Sequence, residues 1–343
     1  MLDLKLFLSI QIDNLFYLYK MALYGGADVF ELMKKMDIKD ALNLGLTNKK
    51  AREITRGDRF WIFFLNRDYP YFRNMGEPSL EYAYRAIYAD RRLDEYVMRP
   101  AHVFYDLRYL QNLIIFRCQN LGLTSLEGCP PCEELYCSGN LLKDLKGCPG
   151  NVKKLRCSSN KLETLEGCPD SVEELDCYNN ELTSLIGCGK NVENLMSNNN
   201  KLKSLKGCPD SVEILRCSSN KLKSLEGCGK NVKELSCSDN QLTSLVGCTS
   251  NIIEIYCGWN NLTSLEGCPT GVKTLNIGDS SITSLIDCPK SLIHLTCSDN
   301  RITSLDVYLP NIRRVTFINN PLIPPWNNME EKEVIRLMRL RRW

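Results

Sequence analysis

Val152-Lys153-Lys154-Leu155-Arg156-Cys157-Ser158-Ser159-Asn160-Lys161-Leu162-Glu163-Thr164-Leu165-Glu166-Gly167-Cys168-Pro169 is one turn of a pattern that sets the fold. Shifted by 20 residues, the same slots hold Val172, Leu175, Cys177, Asn180, Leu182, Leu185, Gly187 and Cys188. The register continues through Val212-Leu215, Val232-Leu235, Ile252-Ile255, Val272-Leu275, Leu292-Leu295 and Ile312-Val315. A fixed period of this size means stacked repeats, each too small to bury a face alone. In Lys154-Leu155-Arg156-Cys157-Ser158 apolar and polar residues alternate, which is the strand period. Leu155 and Cys157 then point inward, and Lys154, Arg156 and Ser158 outward.

Asparagine recurs at Asn140, Asn160, Asn180, Asn200, Asn220, Asn240, Asn260, Asn300 and Asn320. Here the chain leaves the strand and buried backbone groups need partners. A carboxamide both donates and accepts, so it can bond the backbone of its own repeat and of its neighbour. Ser280 breaks the column and predicts a weaker rung. Gly167-Cys168-Pro169 fits a tight return, because a unit this short has no room for a full convex helix. Over residues 112–326 the pattern resembles the leucine-rich-repeat consensus, L-x-x-L-x-L-x-x-N-x-L, with cysteine in the third apolar slot. The resemblance implies a curved solenoid with a parallel sheet on its concave face.

The chain has 18 cysteines, none before Cys118. One column runs through Cys118, Cys137, Cys157, Cys177, Cys217, Cys237, Cys257 and Cys297. A second runs through Cys129, Cys148, Cys168, Cys188, Cys208, Cys228, Cys248, Cys268 and Cys288, and Cys132 stands as a remainder. Recurrence on columns marks packing, since free cysteine behaves as a small apolar residue. Ser197, Ile277 and Phe317 fill the first column where cysteine is missing. The expectation is therefore reduced thiols, a reducing compartment and a cytoplasmic protein.

The rest of the composition narrows the function. A net charge of +2 disfavours a general polyanion binder, so no nucleic-acid partner is expected. No apolar run reaches about 18 residues, so no membrane span is expected. Met1-Leu2-Asp3-Leu4-Lys5 makes a poor signal peptide, and Met21 is an alternative start. His102 and His294 are the only histidines, and Cys129-Pro130-Pro131-Cys132 is a lone C-x-x-C. No phosphate-binding, nucleophile-elbow or zincin motif occurs, so no metal, cofactor or catalytic residue is assigned. Paired acids such as Glu173-Glu174 read as a solvated face.

The first hundred residues lack both cysteine and the period. Asp28-Val29-Phe30-Glu31-Leu32-Met33-Lys34-Lys35-Met36 has helical apolar spacing with Asp28 as N-cap. Asp40-Ala41-Leu42-Asn43-Leu44 begins a second helix, and Asp58-Arg59-Phe60-Trp61 leads into an apolar closing element. Together these stretches resemble an F-box, of the kind in F-box/leucine-rich-repeat proteins of large DNA viruses. The resemblance implies that Val29, Phe30, Leu32, Met36, Leu42, Leu44 and Trp61 contact a Skp1-type adaptor. It also implies that the solenoid holds the target of a Skp1-cullin-F-box ubiquitin ligase, in the host cytoplasm if the chain is viral. Helices that only cap the first repeat, on a plain interaction scaffold, are the alternative.

The expected fold is thus α+β. It comprises an extension (1–21), a helical F-box-like domain (22–110), leucine-rich repeats (111–326) and a C-terminal capping helix (327–343). In that helix Glu330, Glu331 and Glu333 precede Arg339, Arg341 and Arg342, an order that suits the dipole. Val334, Leu337, Met338 and Leu340 would cover the last rung. For the target-binding face, interface hot spots favour Trp, Tyr and Arg. The expected contacts are Tyr136, Arg156, Tyr178, Met196, Arg216, Tyr256 and Trp259.

Overall fold

The computed structural model describes residues 95–97 and 113–340. All its strands lie in one parallel 12-stranded sheet in simple sequence order. β1 (Glu95–Val97) and β2 (Leu113–Arg117) open it, followed by β3 (Cys132–Tyr136), β4 (Lys154–Arg156) and β5 (Glu174–Asp176). β6 (Asn194–Met196), β7 (Ile214–Arg216), β8 (Glu234–Ser236) and β9 (Glu254–Tyr256) continue the ladder. β10 (Thr274–Asn276), β11 (His294–Thr296) and β12 (Arg314–Thr316) complete it. The result is the expected curved leucine-rich-repeat solenoid. β1 falls within the stretch that the sequence pattern assigned to the helical domain, and it pairs Glu95 with Ile115. The F-box-like stretch and its seven adaptor-contact residues lie outside the described residues.

The register follows the repeat: Lys154, Leu155 and Arg156 pair with Glu174, Leu175 and Asp176. Strands are short because only the x-Leu-x core alternates before the chain must turn. Val152, Leu155, Cys157, Leu162 and Leu165 are all fully buried, so this repeat contributes five apolar side chains to one continuous core. All eighteen cysteines are free thiols. Cys132 is not a remainder: it pairs with Leu113 and occupies the column that Val152 and Val172 fill in later repeats, fully buried. The Cys157 thiol donates to the Asp176 carbonyl at 3.3 Å, and the Ser197 hydroxyl makes the same bond to the Arg216 carbonyl at 3.2 Å. Serine is therefore accepted there because its hydroxyl takes over the thiol's bond as well as its volume.

The asparagine column forms a ladder. Asn160 Oδ1 accepts the Leu142 amide at 3.1 Å, while its Nδ2 donates to the carbonyls of Cys137 and Cys157 at 3.0 Å. Each carboxamide thus ties its own repeat to the preceding one. At Ser280 the series breaks: the hydroxyl is buried without a partner, and the bond that would serve the Leu262 amide is missing. Ser280→Asn should restore bonds to the Leu262 amide and to the Cys257 and Ile277 carbonyls. It should raise stability by about 1–2 kcal/mol, read as a higher midpoint in urea unfolding; an unchanged midpoint would count against a weak rung.

The returns need glycine for two reasons. Gly167 has φ +91°, and a Cβ there would lie 2.5 Å from backbone atoms of Leu145 and Lys146 in the preceding repeat. After a 3-10 turn (Trp326–Asn328), helix α1 (Glu331–Arg339) packs on β12. Val334 and Met338 are buried as expected, Leu337 is half-buried and Leu340 exposed. The Glu331 carboxylate accepts the Val315 amide at 3.0 Å, and Arg339 Nε donates to the Ile312 carbonyl at 2.7 Å. The last strand thereby has an edge amide closed to another chain. Among the described residues no helix is long and apolar enough to cross a membrane.

Candidate interaction surface

Pairing lines up the outward side chains in rows across the sheet. Tyr136, Arg156, Asp176, Met196, Arg216, Ser236 and Tyr256 follow one another, one per strand. Five of the seven expected contacts therefore share one row. Tyr178 and Trp259 do not. They lie two and three residues past the ends of β5 and β9, on the rim where the chain turns away. The in-out alternation stops with the strand, and Trp259 has φ +51°, so an outward slot counted past the strand end falls on a different surface.

The row is ordered by its neighbours. Tyr136 donates its hydroxyl proton to Glu134 Oε2 at 2.9 Å, and Tyr256 does the same to Glu254 Oε2 at 2.8 Å. Arg156 Nη2 donates to Glu174 Oε2 at 3.0 Å, and Arg216 Nη2 to Glu234 Oε1 at 3.0 Å. Lys154 Nζ sits 3.7 Å from both Glu134 and Glu174. The Arg117 guanidinium lies 4.0 Å from the Tyr136 ring centroid, so β2 also contributes to the surface. The bond to Glu254 holds the Tyr256 hydroxyl above its ordinary pKa, so it remains a donor. Such partly exposed surface pairs add little stability. They do fix rotamers in advance, which lowers the entropy cost of docking a partner. Met196, half-buried between Asp176 and Arg216, supplies an adaptable apolar contact.

Among the described residues no group of three or more His, Cys, Asp or Glu is placed to hold a metal. Burial pushes the Cys132 and Cys297 thiols from 9.0 up to about 12, which makes these two poor nucleophiles. An open hollow of about 550 Å³ lies past the asparagine turns, lined by Lys143, Lys161, Glu163, Glu181, Thr183 and Lys201. Its Lys201 and Glu181 pair with each other.

No family model and no curated protein matches the chain. Solved structures do. YopM from Yersinia enterocolitica WA-314 is 25% identical with a TM-score of 0.55, over 61% of this chain and 52% of that one. The functional domain of InlJ from Listeria monocytogenes, which includes a cysteine ladder, is 25% identical with a TM-score of 0.52, over 63% of this chain and 50% of that one. The fold is that of a leucine-rich-repeat protein. This chain spans about half the length of both structures. FLRT2, whose leucine-rich repeats lie in an octameric complex with Latrophilin 3 and Unc5D, shares the fold at 19% identity and a TM-score of 0.50, over 62% of this chain and 76% of that one.

Proposed function

We propose that this chain is a protein-interaction module that holds a target on its strand face, as the substrate-recognition subunit of a Skp1-cullin-F-box type ubiquitin ligase. The observation that carries the first part is the row Tyr136, Arg156, Met196, Arg216 and Tyr256. Four of its five side chains are fixed by a glutamate on their own or the next strand. Preordered tyrosines and arginines in a contiguous row suit hot-spot contacts. The second part rests on the resemblance of Val29, Phe30, Leu32, Met36, Leu42, Leu44 and Trp61 to adaptor-contacting F-box positions. The eighteen free thiols support a reducing, cytoplasmic setting.

Affinity capture with the full chain, read by mass spectrometry, tests both parts. Arg156→Glu/Arg216→Glu should abolish target capture and leave a Skp1-type adaptor bound. Leu32→Ala/Trp61→Ala should do the reverse. Target capture with no adaptor binding would leave the plain scaffold, and capture indifferent to Arg156 and Arg216 would overturn the strand-face reading.

A further inference from the structure

We infer that the rim at Trp259 is a seat for a basic side chain, arginine above all, of the bound partner. This rests on the strand-face reading and names the partner's chemistry there.

The residue before each ladder asparagine has positive φ. Glycine, asparagine and aspartate, which accept the left-handed conformation, or the small serine fill this slot in the other repeats. Trp259, at φ +51°, is the one large side chain in it among the described residues. It is 63% exposed, so packing does not offset that backbone cost. An indole held in an unfavourable conformation and left in water is explained by what it meets from outside.

The surroundings specify what that is. Two residues past the strand ends, most repeats carry serine, asparagine or tyrosine, but here the slot holds Gly258 and Gly278, which are buried and have no side chain to compete for a ligand's contacts. The Trp259 amide donates to the Gly278 carbonyl at 3.0 Å, and a Cβ at Gly258 would come within 3.1 Å of that same oxygen. Asp239 and Asp279 occupy the Trp259 slot one rung to either side. Their amides are anchored to the carbonyls of Gly258 at 3.0 Å and Ser298 at 3.1 Å. Rungs are about 4.8 Å apart, so both aspartates stand one rung from Trp259, within reach of a cation placed over the indole. Both are exposed, and neither forms an ion pair among the described residues. The Asp299 carboxylate, one rung further, accepts from Asn319 Nδ2 at 2.8 Å. A cation over the indole gains cation–π attraction and charge-assisted hydrogen bonds together. Guanidinium suits best, because its plane stacks while its edges reach two acceptors. An acidic segment would be repelled, and an apolar one would strip water from unpaired carboxylates.

The test is fluorescence anisotropy of labelled nona-arginine against the full chain at moderate salt. Trp259→Asn should weaken binding about tenfold or more. Its melting temperature should be equal or higher, because asparagine prefers this conformation. Asp239→Asn/Asp279→Asn should weaken binding at least as much. Glu173→Gln/Glu193→Gln, which removes the same charge elsewhere, should change it less than about twofold. Binding indifferent to Trp259, equal loss in the Glu173/Glu193 control, or tighter binding of nona-glutamate would each overturn the seat. The two readings fail separately. Target capture that needs Arg156 and Arg216 but ignores Trp259→Asn removes the seat and keeps the strand face. Capture indifferent to all of them removes both.

Discussion

In excess reductant, raising the pH above about 9 is expected to unfold the solenoid in a steep, reversible transition. The cause is its cysteine core. Burial raises Cys132, Cys228 and Cys297 from 9.0 to about 12, and pushes Cys137, Cys157 and Cys217 in the same direction. Below pH 9 these thiols are protonated folded or unfolded, and the stability they contribute is fully present. Above it the unfolded chain releases protons that the folded chain retains, so stability falls until the folded thiols themselves titrate. Each costs about 1.4 kcal/mol per pH unit. At pH 10 the three about-12 thiols alone remove roughly 4 kcal/mol, a large part of a domain's net stability. Circular dichroism against pH would show it. Cys297→Ile, the residue that the same column carries at Ile277, should shift the midpoint upward and lower the slope by about one proton. An alkaline midpoint untouched by cysteine substitution would mean that other groups drive it.

Breaking the ladder in mid-solenoid should cost nearly as much. Asn200 is 8% exposed; its Oδ1 accepts the Leu182 amide at 3.0 Å. Its Nδ2 donates to Cys177 at 3.0 Å, Ser197 at 3.1 Å and Asn198 at 3.2 Å. Asn200→Ala leaves a buried amide and carbonyls without their partner, at about 3–5 kcal/mol. A repeat stack is coupled only through nearest neighbours, so the loss falls on one interface. Denaturant unfolding should begin earlier and broaden, with amides of the preceding repeat losing hydrogen-exchange protection first. A uniform loss below about 1 kcal/mol would show that water replaces the carboxamide.

Most of the fold was legible because a fixed period leaves little freedom. Once Leu155 and Cys157 are inward, every later strand, its register and its ladder asparagine follow. The Ser280 defect was readable for the same reason. Five features were harder. Cys132 sits on a valine column, and sorting cysteines by identity rather than by apolar size hid its place. Trp259 was found by residue type, but its surface was not, because the left-handed turn after Cys257 ends the alternation. The aspartates one rung to either side of it sit in a slot that reads as ordinary turn chemistry until the rungs are stacked. The ties from Arg156 to Glu174 and from Arg216 to Glu234 join residues 18 apart and emerge only from the register. β1 precedes the periodic stretch and has no cysteine to announce it.

Hydrogen–deuterium exchange of the full chain, free and bound to its captured target, tests most directly whether the strand face and its rim bind protein. Strand and rim peptides spanning Tyr136 to Trp259 should gain protection, while the Gly167-Cys168-Pro169 type returns exchange as before. Protection confined to those returns, with the strands unchanged, would contradict it.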